Sequence, residues 1–233
     1  MATTTTEAPA TRRSITATRP LLGWRTVDIL TVTFLGAAFG IVFWGWAFAY
    51  DPLAKAVSLA YVPLSGLFAG PWFLAAVVGG LVVRRPGAAL LCEVVAALVS
   101  MLPGTQWGAT TLVSGVLQGL GAELAFALLG YRYYRPLAAV LAGVLAVPLE
   151  WVFETFSVPA SWADVPVLGA LTGGGAWYGE LLPRDKVAYL VALAVSGALL
   201  AGVVGWLLTR ALARAGALSA FPAGQEEREA GAV

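Results

Sequence analysis

Four glutamates, Glu93, Glu123, Glu150 and Glu154, stand inside apolar stretches of a 233-residue chain. The stretches are long enough to cross a bilayer. A carboxylate there is costly, so it faces a bundle interior, a cavity or a partner group. A membrane chain that keeps several such groups is suited to handling a polar or cationic molecule. Glu150 and Glu154 are four residues apart and share one helical face, with Trp151 projecting about 100° away beside it. Thr111, Ser114 and Gln118 recur at three- and four-residue spacing and form a second polar stripe, preceded by Gln106, Trp107 and Thr110. An acidic stripe on one helix and a polar stripe on another would close a cavity open to one side of the membrane. Its chemistry suits a small aromatic heterocycle carrying amino groups or positive charge. Trp and Tyr faces stack on such a ring and attract cations. Carboxylates pair with an amino-pyrimidine edge, and Gln supplies both donor and acceptor. The other reading of Glu150 and Glu154 is a structural polar network between helices.

Glu93 and Glu123 lie deeper, each about 10 Å from the opposite end of its helix. They are placed to meet across two helices, where paired carboxylates would raise one pKa and share a proton. That pair would serve as a coupling site in a proton-driven carrier, as the floor of the ligand pocket, or as a helix–helix hydrogen bond.

The composition excludes several classes. The chain is 59% hydrophobic and 12% charged, with mean hydropathy +0.82, against about 25% charged residues in soluble domains. It reads as an all-α integral membrane protein. The net charge of +1 carries no message for nucleic acid. With no histidine and one cysteine, Cys92, the chain offers no Ser-His triad, no histidine metal site and no disulfide within itself. The glycines of 171–176 lack the Lys and the strand–helix context of a phosphate loop. Neither a cofactor nor a metal is expected, nor enzymatic activity. Energy for active transport would come from a gradient or another subunit.

The elements that must position these residues are six transmembrane helices, at about 27–48, 63–83, 87–102, 109–130, 137–156 and 187–212. The first apolar stretch, about 22 residues, exceeds the ~7–15 of a secretory signal and reads as a retained span. Residues 49–62 read as a loop or a short interfacial segment, although residues 53–83 also admit one long broken helix. The membrane domain is 24–214, flanked by disordered cytoplasmic tails at 1–23 and 215–233. Six spans put Arg12, Arg13, Arg19, Arg25, Arg84, Arg85, Arg132, Arg135, Arg210 and Arg214 on one side. Only Lys55, Arg184 and Lys186 fall on the other. The positive-inside rule then makes both termini cytoplasmic. Glu150, Glu154, Trp107, Trp151 and the polar stripe fall toward the outer side, with Trp177 and Tyr178 in the last outer loop (157–186). An aromatic interface belt is the competing reading for each ring. Gly36 and Gly40 carry the Gly-x-x-x-Gly spacing that lets another helix approach closely.

Certain residues also carry a family likeness. They are Trp24-Arg25-Thr26-Val27-Asp28-Ile29-Leu30, Phe34-Leu35-Gly36-Ala37-Ala38-Phe39-Gly40, Phe43-Trp44-Gly45-Trp46, Gln118-Gly119-Leu120-Gly121-Ala122-Glu123 and Tyr131-Arg132. In these the chain resembles the substrate-binding S components of energy-coupling factor (ECF) transporters. The likeness is to the YkoE-type component for thiamine and its hydroxymethylpyrimidine moiety, and it covers roughly residues 24–212. The resemblance implies a six-helix subunit of the cell membrane that captures a vitamin from outside. Such a subunit docks on a transmembrane T component carrying two ATPases. It implies a docking face at Gly36, Ala37 and Gly40. Thiamine-binding members often use Asn or His near the ligand; this chain has neither, so Gln and Glu would take those roles. The alternative is a self-sufficient proton-coupled carrier of a small cationic or heteroaromatic solute.

Overall fold

The computed structural model describes residues 15–16, 21–156 and 178–231, and everything described is helix, turn or irregular chain. Helix α1 spans Thr26–Ser58, 33 residues without interruption. It absorbs most of the loop expected at 49–62. Pro52 stays inside it because proline forfeits a single N–H, and Asp51 and Lys55, one turn apart, pair at 2.6 Å.

The next apolar stretch is broken. Two 3-10 segments, Val62–Phe68 and Gly70–Phe73, lead into α2, Leu74–Val83. Pro63 and Pro71 stand at their first turns, where a missing N–H costs least. The stretch bends by 42° between Phe68 and Gly70. Ser196 bridges that break, accepting from the Gly70 N–H at 2.8 Å and donating to the Leu67 carbonyl at 2.7 Å.

Helix α3 is Ala88–Met101 and α4 is Thr110–Leu128. The following span is two helices, α5 (Pro136–Leu145) and α6 (Val147–Thr155), separated at Ala146. Pro148 explains the break, since its ring denies a donor to the carbonyl of Val144. The last span comprises α7 (Pro183–Ser196), a π-helical stretch (Gly197–Val203) and α8 (Val204–Arg214). A final helix, α9 (Pro222–Gly231), follows. Among the described residues four spans are long and apolar enough to cross a bilayer: α1, α4, α5–α6 and α7–α8. The bent 62–83 unit makes a fifth, and α3 is apolar but only 14 residues long.

Two expectations change here. The segment 215–233 is not a featureless tail, because α9 folds back onto the bundle. Glu226 receives Arg84 at 2.5 and 2.9 Å, and Glu227 pairs with Arg210 and with Arg214 at 3.4 Å. Arg84 and Arg85, placed by the sequence among the arginines of one membrane side, are buried. Arg84 sits over the Tyr134 ring at 4.8 Å, and Arg85 binds Asp28 of α1 at 2.6 Å. Burying two guanidiniums is tolerable only because each meets a carboxylate.

The Gly-x-x-x-Gly face of α1 is likewise used within the chain. A Cβ at Gly36 would lie 2.7 Å from the Cys92 carbonyl and from Val95, and one at Gly40 would lie 2.6 Å from Val99. Both glycines are buried against α3, with Ala37 half-buried beside them. The docking face expected at Gly36 and Gly40 is therefore covered by α3 of the same chain.

Candidate functional site

At the end of the bundle away from Arg84 and Arg85, the helices leave a cavity of about 110 Å³. Its acidic side comes from three carboxylates on two helices: Glu93 on α3, and Glu150 and Glu154 one turn apart on α6. The polar stripe on α4 faces them through Thr111, Ser114 and Gln118. Tyr50, Trp72, Trp107 and Tyr178 supply rings.

Each acid is held by at least one donor from the protein. Ser114 Oγ donates to Glu150 Oε1 at 2.6 Å, with Gln118 beside the same carboxylate. Tyr189 donates to Glu154 Oε2 at 2.7 Å. The backbone N–H of Ala76, in the first turn of α2, donates to Glu93 Oε2 at 2.7 Å. The break before α2 is what frees that N–H inside the bundle. The second oxygens of Glu93 and Glu150 are buried and have no hydrogen-bond partner among the described residues. A buried carboxylate oxygen without a donor is expensive, so both are open to a further donor.

The aromatic wall is a packed cluster. Tyr50 meets Trp72 edge-on at 4.6 Å between centroids, Trp72 meets Trp107 at 5.2 Å, and Tyr50 meets Trp107 at 5.9 Å. Such faces, next to carboxylates and out of bulk water, suit a flat cationic ring.

Of the residues proposed from sequence, Glu93, Trp107, Ser114, Gln118, Glu150, Glu154 and Tyr178 converge on this cavity. Three others do not. Glu123 lies at the Arg84 end, where it accepts N–H bonds from Gly87, Ala89 and Leu90 and the Tyr131 hydroxyl. It caps α3 and does not meet Glu93. Burial, and then the bond to Glu123, push the Tyr131 phenol up from its ordinary value, so it remains a donor. Trp151 donates to the Lys186 carbonyl at 2.7 Å and packs on Phe156, outside the cavity. Gln106 is exposed in the turn before α4. Trp177 lies outside the described residues. Sequence reasoning missed Tyr50, Trp72 and the supporting Tyr189.

A cavity of acids and rings enclosed by apolar helices defines a multi-pass membrane protein built to hold a small polar solute. Comparison narrows this. The family model described as "ABC-type cobalt transport system, permease component" matches residues 27–149. The chain is 30% identical over 204 residues to YkoE of Bacillus subtilis (strain 168), named as an HMP/thiamine permease protein, covering 87% of this chain and 92% of that one. It is also similar to a crystal structure of an S-component of an ECF transporter, with TM-score 0.72 and 26% identity, over 88% of this chain and 94% of that one. The chain belongs to the S components of ECF transporters, in the YkoE-type family. S components are transport subunits of the cell membrane.

Proposed function

We propose that this chain captures thiamine or its hydroxymethylpyrimidine precursor from outside the cell and hands it to an ATP-driven module of a T component and two ATPases. The observation that carries the reading is the pair of unpartnered buried oxygens, on Glu93 and Glu150, facing a wall of Tyr50, Trp72 and Trp107. An amino-pyrimidine offers ring-bound N–H donors to such acceptors while its face meets the aromatic wall. The name of the B. subtilis relative agrees with this choice. In this reading the membrane domain has six spans, α3 being the shortest, and the arginine-rich end with both termini is cytoplasmic. The cavity then opens outward.

The family description that names cobalt raises a metal cargo as a second reading. The donor set weighs against it. The chain has no histidine, its cysteine is buried away from solvent, and the described residues contain no metal-binding cluster of His, Cys, Asp and Glu. The purified protein in detergent is to be titrated with thiamine, hydroxymethylpyrimidine and Co²⁺, following tryptophan fluorescence. Saturable quenching by either organic ligand at submicromolar concentration supports the proposal. A response to Co²⁺ alone would overturn it. Uptake by liposomes holding this chain alone, driven by a pH gradient, would instead favour a proton-coupled carrier.

A further inference from the structure

Tyr178 meets two residues that line the cavity, Tyr50 and Glu154, and two that stand behind it, Ser65 and Tyr189. Its backbone N–H donates to the Glu154 carbonyl at 3.0 Å, and its ring lies 4.3 Å from that of Tyr189. Its hydroxyl reaches Ser65 at 3.1 Å and Tyr50 at 3.5 Å. The direction of these bonds can be worked out. Ser65 has one hydroxyl proton and gives it to the Val62 carbonyl at 2.8 Å. Ser65 therefore accepts from Tyr178, and Tyr178, its own proton committed, accepts from Tyr50. The bonds run one way, from Tyr178 through Ser65 to the Val62 carbonyl, with the Tyr50 hydroxyl at the long end of hydrogen-bond distance from Tyr178.

These bonds do not hold the acids, which have Ala76, Ser114 and Tyr189 as donors. They hold the wall. Tyr50 is on α1 and Ser65 on the segment Val62–Phe68, which leads directly to Trp72. Parting them would separate Tyr50 from Trp72 and open the cavity between α1 and the broken span. Resting on the reading of this cavity as the ligand site, we infer that Tyr178 is a positioning residue that latches these two elements over the ligand and sets its dwell time.

Tyr178→Phe keeps the ring and removes the hydroxyl, and Ser65→Ala removes the same bond from the other side. Each is expected to raise the thiamine dissociation rate about fivefold, the scale of one hydrogen bond, without slowing association. The double variant is expected to be no faster than the singles. A second arm needs no ligand. In a Cys92→Ala, Ser114→Cys background, the cavity thiol is labelled with a methanethiosulfonate ethylammonium reagent. Tyr178→Phe is expected to speed that labelling about fivefold. Unchanged labelling overturns the latch, even where dissociation is faster, because Tyr178 would then act only as a ligand contact. Faster labelling in a protein that binds neither thiamine nor hydroxymethylpyrimidine sustains the latch and overturns the substrate reading instead.

Discussion

Glu93, on α3, accepts the backbone N–H of Ala76, in the first turn of α2, at 2.7 Å. One carboxylate thus closes a helix start inside the bundle with one oxygen and faces the cavity with the other. The two roles are separable. Glu93→Gln keeps an oxygen for Ala76 and replaces the cavity-facing acceptor by an amide N–H₂. Its expected effect is a loss of about 1–3 kcal/mol in thiamine binding, the scale of leaving a buried polar group unpaired, with little change in thermal unfolding. Titration by tryptophan fluorescence reads the first and a melting curve in detergent the second. Unaltered affinity would remove Glu93 from the site.

Glu150 and Glu154 share a face of α6 but differ in commitment. Glu154 is engaged by Tyr189 and Glu150 by Ser114, but only Glu150 also keeps a buried oxygen without a partner among the described residues. Glu150→Gln is expected to weaken binding by about 1–3 kcal/mol and Glu154→Gln by less. Trp151→Phe, though adjacent in sequence, is expected to leave affinity unchanged, since its indole is occupied by the Lys186 carbonyl. A titration of the three variants in parallel decides the order, and a reversed ranking would contradict the geometry.

Glu123→Ala should show the opposite signature. It strips acceptors from the first turn of α3 and from Tyr131. Stability is expected to fall by about 1–3 kcal/mol, while the folded fraction binds ligand as the wild type does. A loss of affinity in protein that remains folded would place Glu123 in the site after all.

At the other end, Glu226→Ala leaves buried Arg84 without its carboxylate. Helix α9 is expected to loosen, which hydrogen exchange of amides 222–231 would report as weaker protection. Retained protection would mean that the pairs of Glu227 with Arg210 and Arg214 suffice.

Gly36→Ala tests where the small-residue face is used. The added methyl would press on the Cys92 carbonyl and Val95, so a lower melting temperature is expected in the isolated subunit. An effect seen only on assembly with an ATPase module would return this face to an external partner.

These cases show what the sequence could reveal. Span positions were legible because a bilayer core demands ~20 apolar residues, and pairs such as Arg84-Arg85 mark where they stop. The loop expected at 49–62 failed because Pro52 and neighbouring charges imitate a terminator, whereas the Asp51–Lys55 pair supports continuing helix. The convergence of α4 and α6 was legible from spacing. The direction of Trp151 was not: about 100° round the helix from Glu150, it turns to the Lys186 carbonyl, which no spacing announces. Glu93 and Glu123 look alike in sequence, yet one meets the cavity and the other caps a helix, because depth alone says nothing about which neighbour turns toward it. Tyr50 escaped notice because its helix was expected to end before it, and Trp72 because no periodicity marks a ring on a proline-broken segment.

The 14 residues of α3 cover about 21 Å at the α-helical rise, and the 33 of α1 about 50 Å. The apolar part of α1, about 22 residues or ~33 Å, suits a hydrocarbon core of roughly 30 Å, and α3 is shorter than that core. Since the two helices are locked together at Gly36 and Gly40, the long one cannot tilt freely to suit the lipid while the short one stays put. With α3 as a span, the acyl chains beside Leu98 and Leu102, both exposed near its end, would have to compress. Acyl-chain length would then be a physical variable for this protein: a thicker host membrane would strain the rim of the cavity, and a thinner one would relieve it.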